Sequence, residues 1–151
     1  MEVVFKGQFA HSVDHKGRVS IPSSFRRVLT KRDRHTFTIT NGLDGCLYLY
    51  PQMEWDKVQQ RLKKLAFWRS DNRRFIREFL ENAYDVEVDG QGRIKIPQVL
   101  IEMARLDREV LFLGGLDKIE VWNPRTYRGY RKASKHTFEE IAEKVFVTRE
   151  D

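Results

Sequence analysis

Hydrophobic residues along this chain change period several times, and each change marks an element. Val3, Phe5, Phe9 and Val13 fall on odd positions, the period of two of a half-buried strand. Asp14-His15-Lys16-Gly17 interrupts them as a turn, with Gly17 supplying a positive φ that a β-carbon would penalise. Val19 and Ile21 resume the alternation. Pro22 suits the first position of a helix, where its missing N–H has no partner anyway. Phe25, Val28 and Leu29 have i, i+3, i+4 spacing, which predicts a helix of about two turns. Thr36–Thr40 and Cys46–Tyr50 read as strands around an Asn41-Gly42 turn, and Pro51 stops the second. Trp55, Val58, Leu62 and Leu65 form one apolar stripe on a helix over Glu54–Phe67. Asp71 is the expected N-cap of a second helix with Phe75, Ile76, Phe79 and Leu80 on its buried face.

The second half repeats this order. Asp89-Gly90-Gln91-Gly92-Arg93-Ile94-Lys95-Ile96-Pro97 matches Asp14-His15-Lys16-Gly17-Arg18-Val19-Ser20-Ile21-Pro22 at Asp, Gly, Arg, Ile and Pro. Tyr84, Val86 and Val88 alternate into the second turn, and Leu100, Met103 and Ala104 mark the short helix after it. Strands Val110–Leu113 and Ile119–Trp122 follow, then a helix from about Arg125 and a final helical segment with Phe138, Ile141 and Val145. Four short strands cannot make a stable core alone, so two such units should pair. The fold class is α+β, a pseudo-twofold β-barrel built from two sequence repeats and covered by helices. Residues 5–80 form the first repeat with its two following helices, and residues 81–151 the second with its C-terminal helices. Together they make one barrel domain.

At 151 residues the chain is the size of one domain. No apolar run reaches the length of a transmembrane helix, and Met1–Lys6 is neither a signal nor a transit peptide. Cys46 is the single cysteine, so no internal disulfide can form, which favours the cytoplasm. The net charge of +6 is unevenly sorted: residues 1–34 carry +5, residues 57–79 carry +6 and residues 80–124 carry −4. Basic charge gathered into segments points to a polyanion as partner, although a solvated helix face explains residues 57–79 equally simply.

Met1…Gly7…Asp14-x-Lys16-Gly17-Arg18-Val19-x-Ile21-Pro22-x-x-Phe25-Arg26 resembles the opening of the MraZ family, bacterial transcriptional regulators related to AbrB/SpoVT DNA-binding domains. Asp89-x-x-Gly92-Arg93-Ile94-x-Ile96-Pro97, followed by Glu109–Gly114 and Ile119–Trp122, is similar to that family's second half. The resemblance runs from Phe5 to about Tyr130. It implies a double-psi or swapped-hairpin barrel, ring-shaped homo-oligomers, and binding to repeated DNA boxes upstream of the division and cell-wall gene cluster. It also implies a cytoplasmic, nucleoid-associated protein whose partners are double-stranded DNA and copies of itself, with no membrane or small-molecule substrate.

Asp14, Gly17, Asp89 and Gly92 occur in both turns and are expected to build them. Arg18 and Arg93 can serve the turn and also meet phosphate or guanine edges. His15, Lys16, Arg26 and Arg27 have no basic counterpart in the second copy. The first copy is therefore the expected DNA end, with Lys16 and Arg18 leading, Arg26 and Arg27 on phosphate, and His15 in reach of DNA. On this reading the second copy is mainly architectural, with Arg93 as its one DNA candidate. No catalytic motif, metal-ligand spacing or cofactor fingerprint is present, so neither enzyme nor metal nor cofactor chemistry is expected. The rival reading is a protein-binding or antitoxin-like module that shares the barrel.

Overall fold

The computed structural model describes residues 3–149, so Met1, which opens the family-like motif, lies outside the described residues with Glu2, Glu150 and Asp151. The first repeat contains β1 (Gln8–Ser12), β2 (Arg18–Ser20), α1 (Ser23–Arg27), β3 (Thr36–Asn41) and β4 (Leu47–Pro51). It continues into α2 (Gln52–Lys63) and α3 (Ser70–Glu81). The second contains β5 (Tyr84–Glu87), β6 (Arg93–Lys95), α4 (Gln98–Met103), β7 (Glu109–Gly114), β8 (Ile119–Trp122), α5 (Pro124–Ala133) and α6 (Phe138–Arg149).

Six strands form one antiparallel sheet in the order β1-β7-β8-β4-β3-β5, and β2 pairs with β6 in a separate ribbon. The repeats exchange edges. β1 of the first lies on β7 of the second, from Gln8↔Leu113 to Ser12↔Glu109. In the matching place β5 of the second lies on β3 of the first, from Thr36↔Glu87 to Ile39↔Tyr84. β4 and β8 meet in the middle with Leu47 opposite Val121 and Leu49 opposite Ile119. The ribbon pairs Arg18↔Lys95, Val19↔Ile94 and Ser20↔Arg93, so a pseudo-twofold axis passes through the Val19–Ile94 pair.

The mixed helix-and-strand class matches expectation, but the ladder does not close into a barrel. It ends at β1 and β5. The Asp turns reverse each edge strand into a ribbon strand of three residues, and the first contact back is the isolated bridge Val13↔Val19. One apolar core nevertheless joins the repeats: Val19, Ile21 and Phe25 pack with Ile94, Ile96 and Leu100, and Phe37 and Ile39 with Val110 and Phe112. Each large side chain buried this way contributes about 1.5–3 kcal/mol. That core, shared across the axis, outweighs any stability a single repeat could supply.

Several local expectations shift. Pro22 is the N-cap of α1 rather than its first residue, since its ψ of 133° is extended and cannot open a helical turn. The helix is five residues long, so only Phe25 and, just beyond it, Leu29 are buried while Val28 faces solvent. Arg69 rather than Asp71 is the N-cap residue of α3; Asp71 sits two residues later, in the first turn, and accepts from the Arg69 side chain. Phe75 and Leu80 are exposed and only Phe79 of that face is buried, because α3 covers a small second cluster of Tyr50, Trp55, Val58 and Phe79. The stripe on α2 is thus intramolecular at Trp55 and Val58, with Leu65 lying past the helix end and exposed.

Candidate nucleic-acid interface

The two turns share one geometry. In the first, Asp14 N–H donates to the Arg18 carbonyl at 2.9 Å and Gly17 N–H to the Asp14 carbonyl at 3.0 Å; in the second, Asp89–Arg93 and Gly92–Asp89 repeat both bonds at 2.9 Å. One carboxylate oxygen of Asp14 accepts from the backbone N–H of Lys16 and of Arg18, each at 2.9 Å. Asp89 does the same with Gln91 and Arg93, at 2.9 and 3.0 Å. The other oxygen takes the arginine Nε, at 2.8 Å for Arg18 and 2.9 Å for Arg93. The backbone N–H of Arg18 leads in holding the Asp14 carboxyl down to about 2, with the Arg18 side chain and Lys16 N–H adding to it against partial desolvation. Asp89 is lowered in the same way, led by the backbone N–H of Arg93.

Each turn is locked to the other repeat. Gly92 carbonyl accepts from Ile21 N–H at 2.9 Å, and Gly17 carbonyl from Ile96 N–H at 3.0 Å. Gly17 and Gly92 have φ of +80° and +77°, where a β-carbon is strained. Period two along the ribbon buries Val19 and Ile94 and sends Arg18, Ser20, Arg93 and Lys95 to the outer face. Arg93 reaches across to Asp14 at 4.0 Å, so the two motifs form one ion cluster on that face.

Lys16 and His15 project from the first turn and are exposed. Arg26 does not join them. Its Nε donates to the Ile21 carbonyl at 3.1 Å, and its guanidinium lies over Gly92 of the second turn. In the equivalent place Ile101 lies over Gly17. Arg27 is exposed on the same side as Arg26. The structure therefore brings Arg18 and Arg93 to one face, leaves Lys16 exposed on the first turn, and carries Arg26 and Arg27 to the far turn. Lys95, a basic residue that the second copy has opposite Ser20, is not among the DNA candidates the sequence suggests, although strand alternation from Arg93 puts it on this face. His11 is occupied, with Nδ1 2.6 Å from the Ser20 carbonyl and its ring edge-on to Phe112. Among the described residues no group of three or more His, Cys, Asp or Glu could hold a metal ion, and no helix is long and apolar enough to cross a membrane.

The model of the family described as "MraZ protein, putative antitoxin-like" matches residues 4–78 and again residues 79–149. The chain belongs to the MraZ family. Curated relatives named transcriptional regulator MraZ agree with this. The one from Desulforamulus reducens is 42% identical over 94% of this chain and 97% of its own length. Those from Pelotomaculum thermopropionicum and Carboxydothermus hydrogenoformans are 44% and 39% identical, again over 94% of this chain and 95% and 96% of theirs. The two MraZ family matches meet between Glu78 and Phe79, inside α3 and just ahead of β5, so each carries one complete Asp turn.

Proposed function

We propose that this chain is a sequence-specific DNA-binding transcriptional regulator. The observation that carries the reading is the ribbon face, where two matched Asp turns hold Arg18 and Arg93 side by side with Lys16 and Lys95 at the edges. Pinning an arginine through its Nε removes rotamer freedom before DNA arrives, so less entropy is lost on binding. Guanidinium groups so held suit guanine edges, and the flanking ammonium groups suit phosphate. The relatives' name, transcriptional regulator MraZ, supports the same assignment. On this reading Asp14, Gly17, Asp89 and Gly92 build the reader, while Lys16, Arg18 and Arg93, with His15 beside them, make the contacts.

The family resemblance extends the proposal to a ring of copies acting on repeated promoter boxes upstream of the division and cell-wall genes, in the cytoplasm on the nucleoid. One protomer offers few contacts, and several turns engaging spaced boxes gain affinity through effective concentration. The exchange of edge strands between repeats supports the swapped-hairpin relationship, with the two repeats acting as one domain. A protein-binding role is the second reading, favoured by Phe67 and Trp68, which are 71% and 72% exposed between the basic helices α2 and α3.

The test is binding to a box-containing promoter fragment across a salt series. Affinity should fall as salt rises, and Lys16→Ala with Arg18→Ala should lower affinity and make the log–log slope shallower by about 1, through the lost Lys16–phosphate contact. Gln91→Ala should leave both unchanged. Loss of neither affinity nor slope in the double variant would sink the site assignment, and equal affinity for promoter and random DNA would favour the protein-binding reading.

A further inference from the structure

Because the repeats interlock, charge along the chain does not predict charge around each turn. A groove opens beside each. At the first turn the carboxylates Asp14, Asp85, Glu87 and Asp107 face Lys16, Lys95 and Arg108. At the second, Arg26, Arg27 and Arg34 stand with His35, against the single carboxylate Asp89. The arginines come from the first repeat, through α1 and the turn of 3-10 helix at Arg32–Arg34. The acids at the first turn come largely from the second repeat. The basic repeat thus lends its charge to the acidic one, and the sign expected from the chain order is reversed.

The second groove also has the shape for a close polyanion. Gly90 carries no side chain and a β-carbon there would meet nothing within 4 Å, so the backbone of this turn is open to approach. The Arg26 guanidinium forms the wall over Gly92, held by its bond to the Ile21 carbonyl. Arg34, which also lines the groove, donates from Nε to the Leu29 carbonyl at 3.4 Å. Arg27 is exposed beside it.

We propose that this groove seats the phosphate backbone of duplex DNA, with Arg27 and Arg34 as contact residues and Arg26 as the residue that positions its wall. The inference rests on the DNA-binding reading and changes its layout: the second turn is a working end, flanked by cations that its own repeat lacks. Phosphate contacts fix register without reading sequence, so this groove should add affinity for any duplex.

Full-length protein is titrated with a random-sequence duplex and with the promoter fragment across the same salt series. Arg27→Ala with Arg34→Ala should make the slope shallower by about 2 on both DNAs, and reduce affinity roughly 30-fold at about 0.15 M salt. Preference for the promoter should stay as it was. Arg27→Lys with Arg34→Lys should keep the slope, because a phosphate meets charge in either form. Arg27→Glu, one exposed change that leaves the fold's contacts intact, should weaken binding more than Arg27→Ala. Wild-type affinity and slope in Arg27→Glu, with Lys16→Ala/Arg18→Ala still losing binding, overturns this inference and leaves the DNA reading standing. Absence of salt-dependent DNA binding in the unaltered protein overturns both.

Discussion

Asp14 divides its carboxylate between backbone and arginine, and this division makes the turn sensitive to acid. Its pKa lies at about 2 in the fold, below the 3.8 of a free aspartate. A depressed carboxylate contributes stability that is present above its unfolded value and is lost as pH falls through the folded one. Asp14→Asn should therefore lower the melting temperature at pH 7, and its deficit should shrink between about pH 4 and pH 2. A deficit that stays constant across that window would mean the carboxylate charge is unimportant. The glycines differ in a second way. Gly17→Ala pays for the left-handed backbone, about 1 kcal/mol, with Ile101 at an ordinary 3.4 Å from the new β-carbon. Gly92→Ala pays that and also expels the Arg26 guanidinium, 2.5 Å from its β-carbon. Urea unfolding should rank Gly92→Ala as the more damaging of the pair. Cys46 offers a simpler check: burial pushes its thiol up to about 12, so native protein should resist alkylation at neutral pH and react once unfolded.

Among the elements, those with strong period were legible before any coordinates. The strands around Val19 and Ile94, the hairpin β3–β4 and the helices α2 and α3 all announce themselves by spacing. What spacing could not convey is how much of an apolar face finds a partner. Phe75 and Leu80 have the right period on α3, yet the cluster beneath, built on Tyr50 of β4 with Trp55 and Val58 of α2, is small, and Phe79 takes that space. Val28 likewise keeps helical spacing on a helix too short to turn it inward. The second cluster is small, which concentrates its energy in few residues. Trp55 lies 5.6 Å from Tyr50 and 5.8 Å from Phe79 between ring centroids. Trp55→Ala should cost about 3 kcal/mol and loosen α2 and α3, leaving hydrogen exchange in β7 and β8 protected. Equal loss of protection throughout would show that the two clusters unfold as one.

At the scale of the whole molecule, the repeat and its pseudo-twofold relation were legible in Asp-x-x-Gly-Arg alone, and the exchange of edges was not. Strand partners 105 positions apart, such as Gln8 and Leu113, leave no local signal. The same exchange relocates two candidate residues: Arg26 and Arg27 belong by chain order to the first turn and stand in the fold beside the second. Lys16, Arg18 and Arg93 stay beside their own turns, because those relations span only four residues. The interleaving has a direct test in two polypeptides, residues 1–81 and 82–151. Each alone should lack the cooperative unfolding of a folded domain, and mixing them should restore it. Independent, cooperative folding of either piece would contradict a shared core.

The exchanged edges also govern how the chain must come into being. When the first eighty or so residues have left the ribosome, β1 has no β7 to lie on and β3 has no β5. Val19, Ile21 and Phe25 still face water. At roughly 5–20 residues per second, the remaining half takes several seconds to follow, far longer than a hairpin needs to form. Throughout that interval the nascent chain carries an open strand edge and a bare apolar surface, and a neighbouring nascent chain on the same message carries the complementary pieces. Synthesis is therefore the moment at which two chains can trade halves, and pauses in translation before Tyr84 should raise the yield of intertwined dimers.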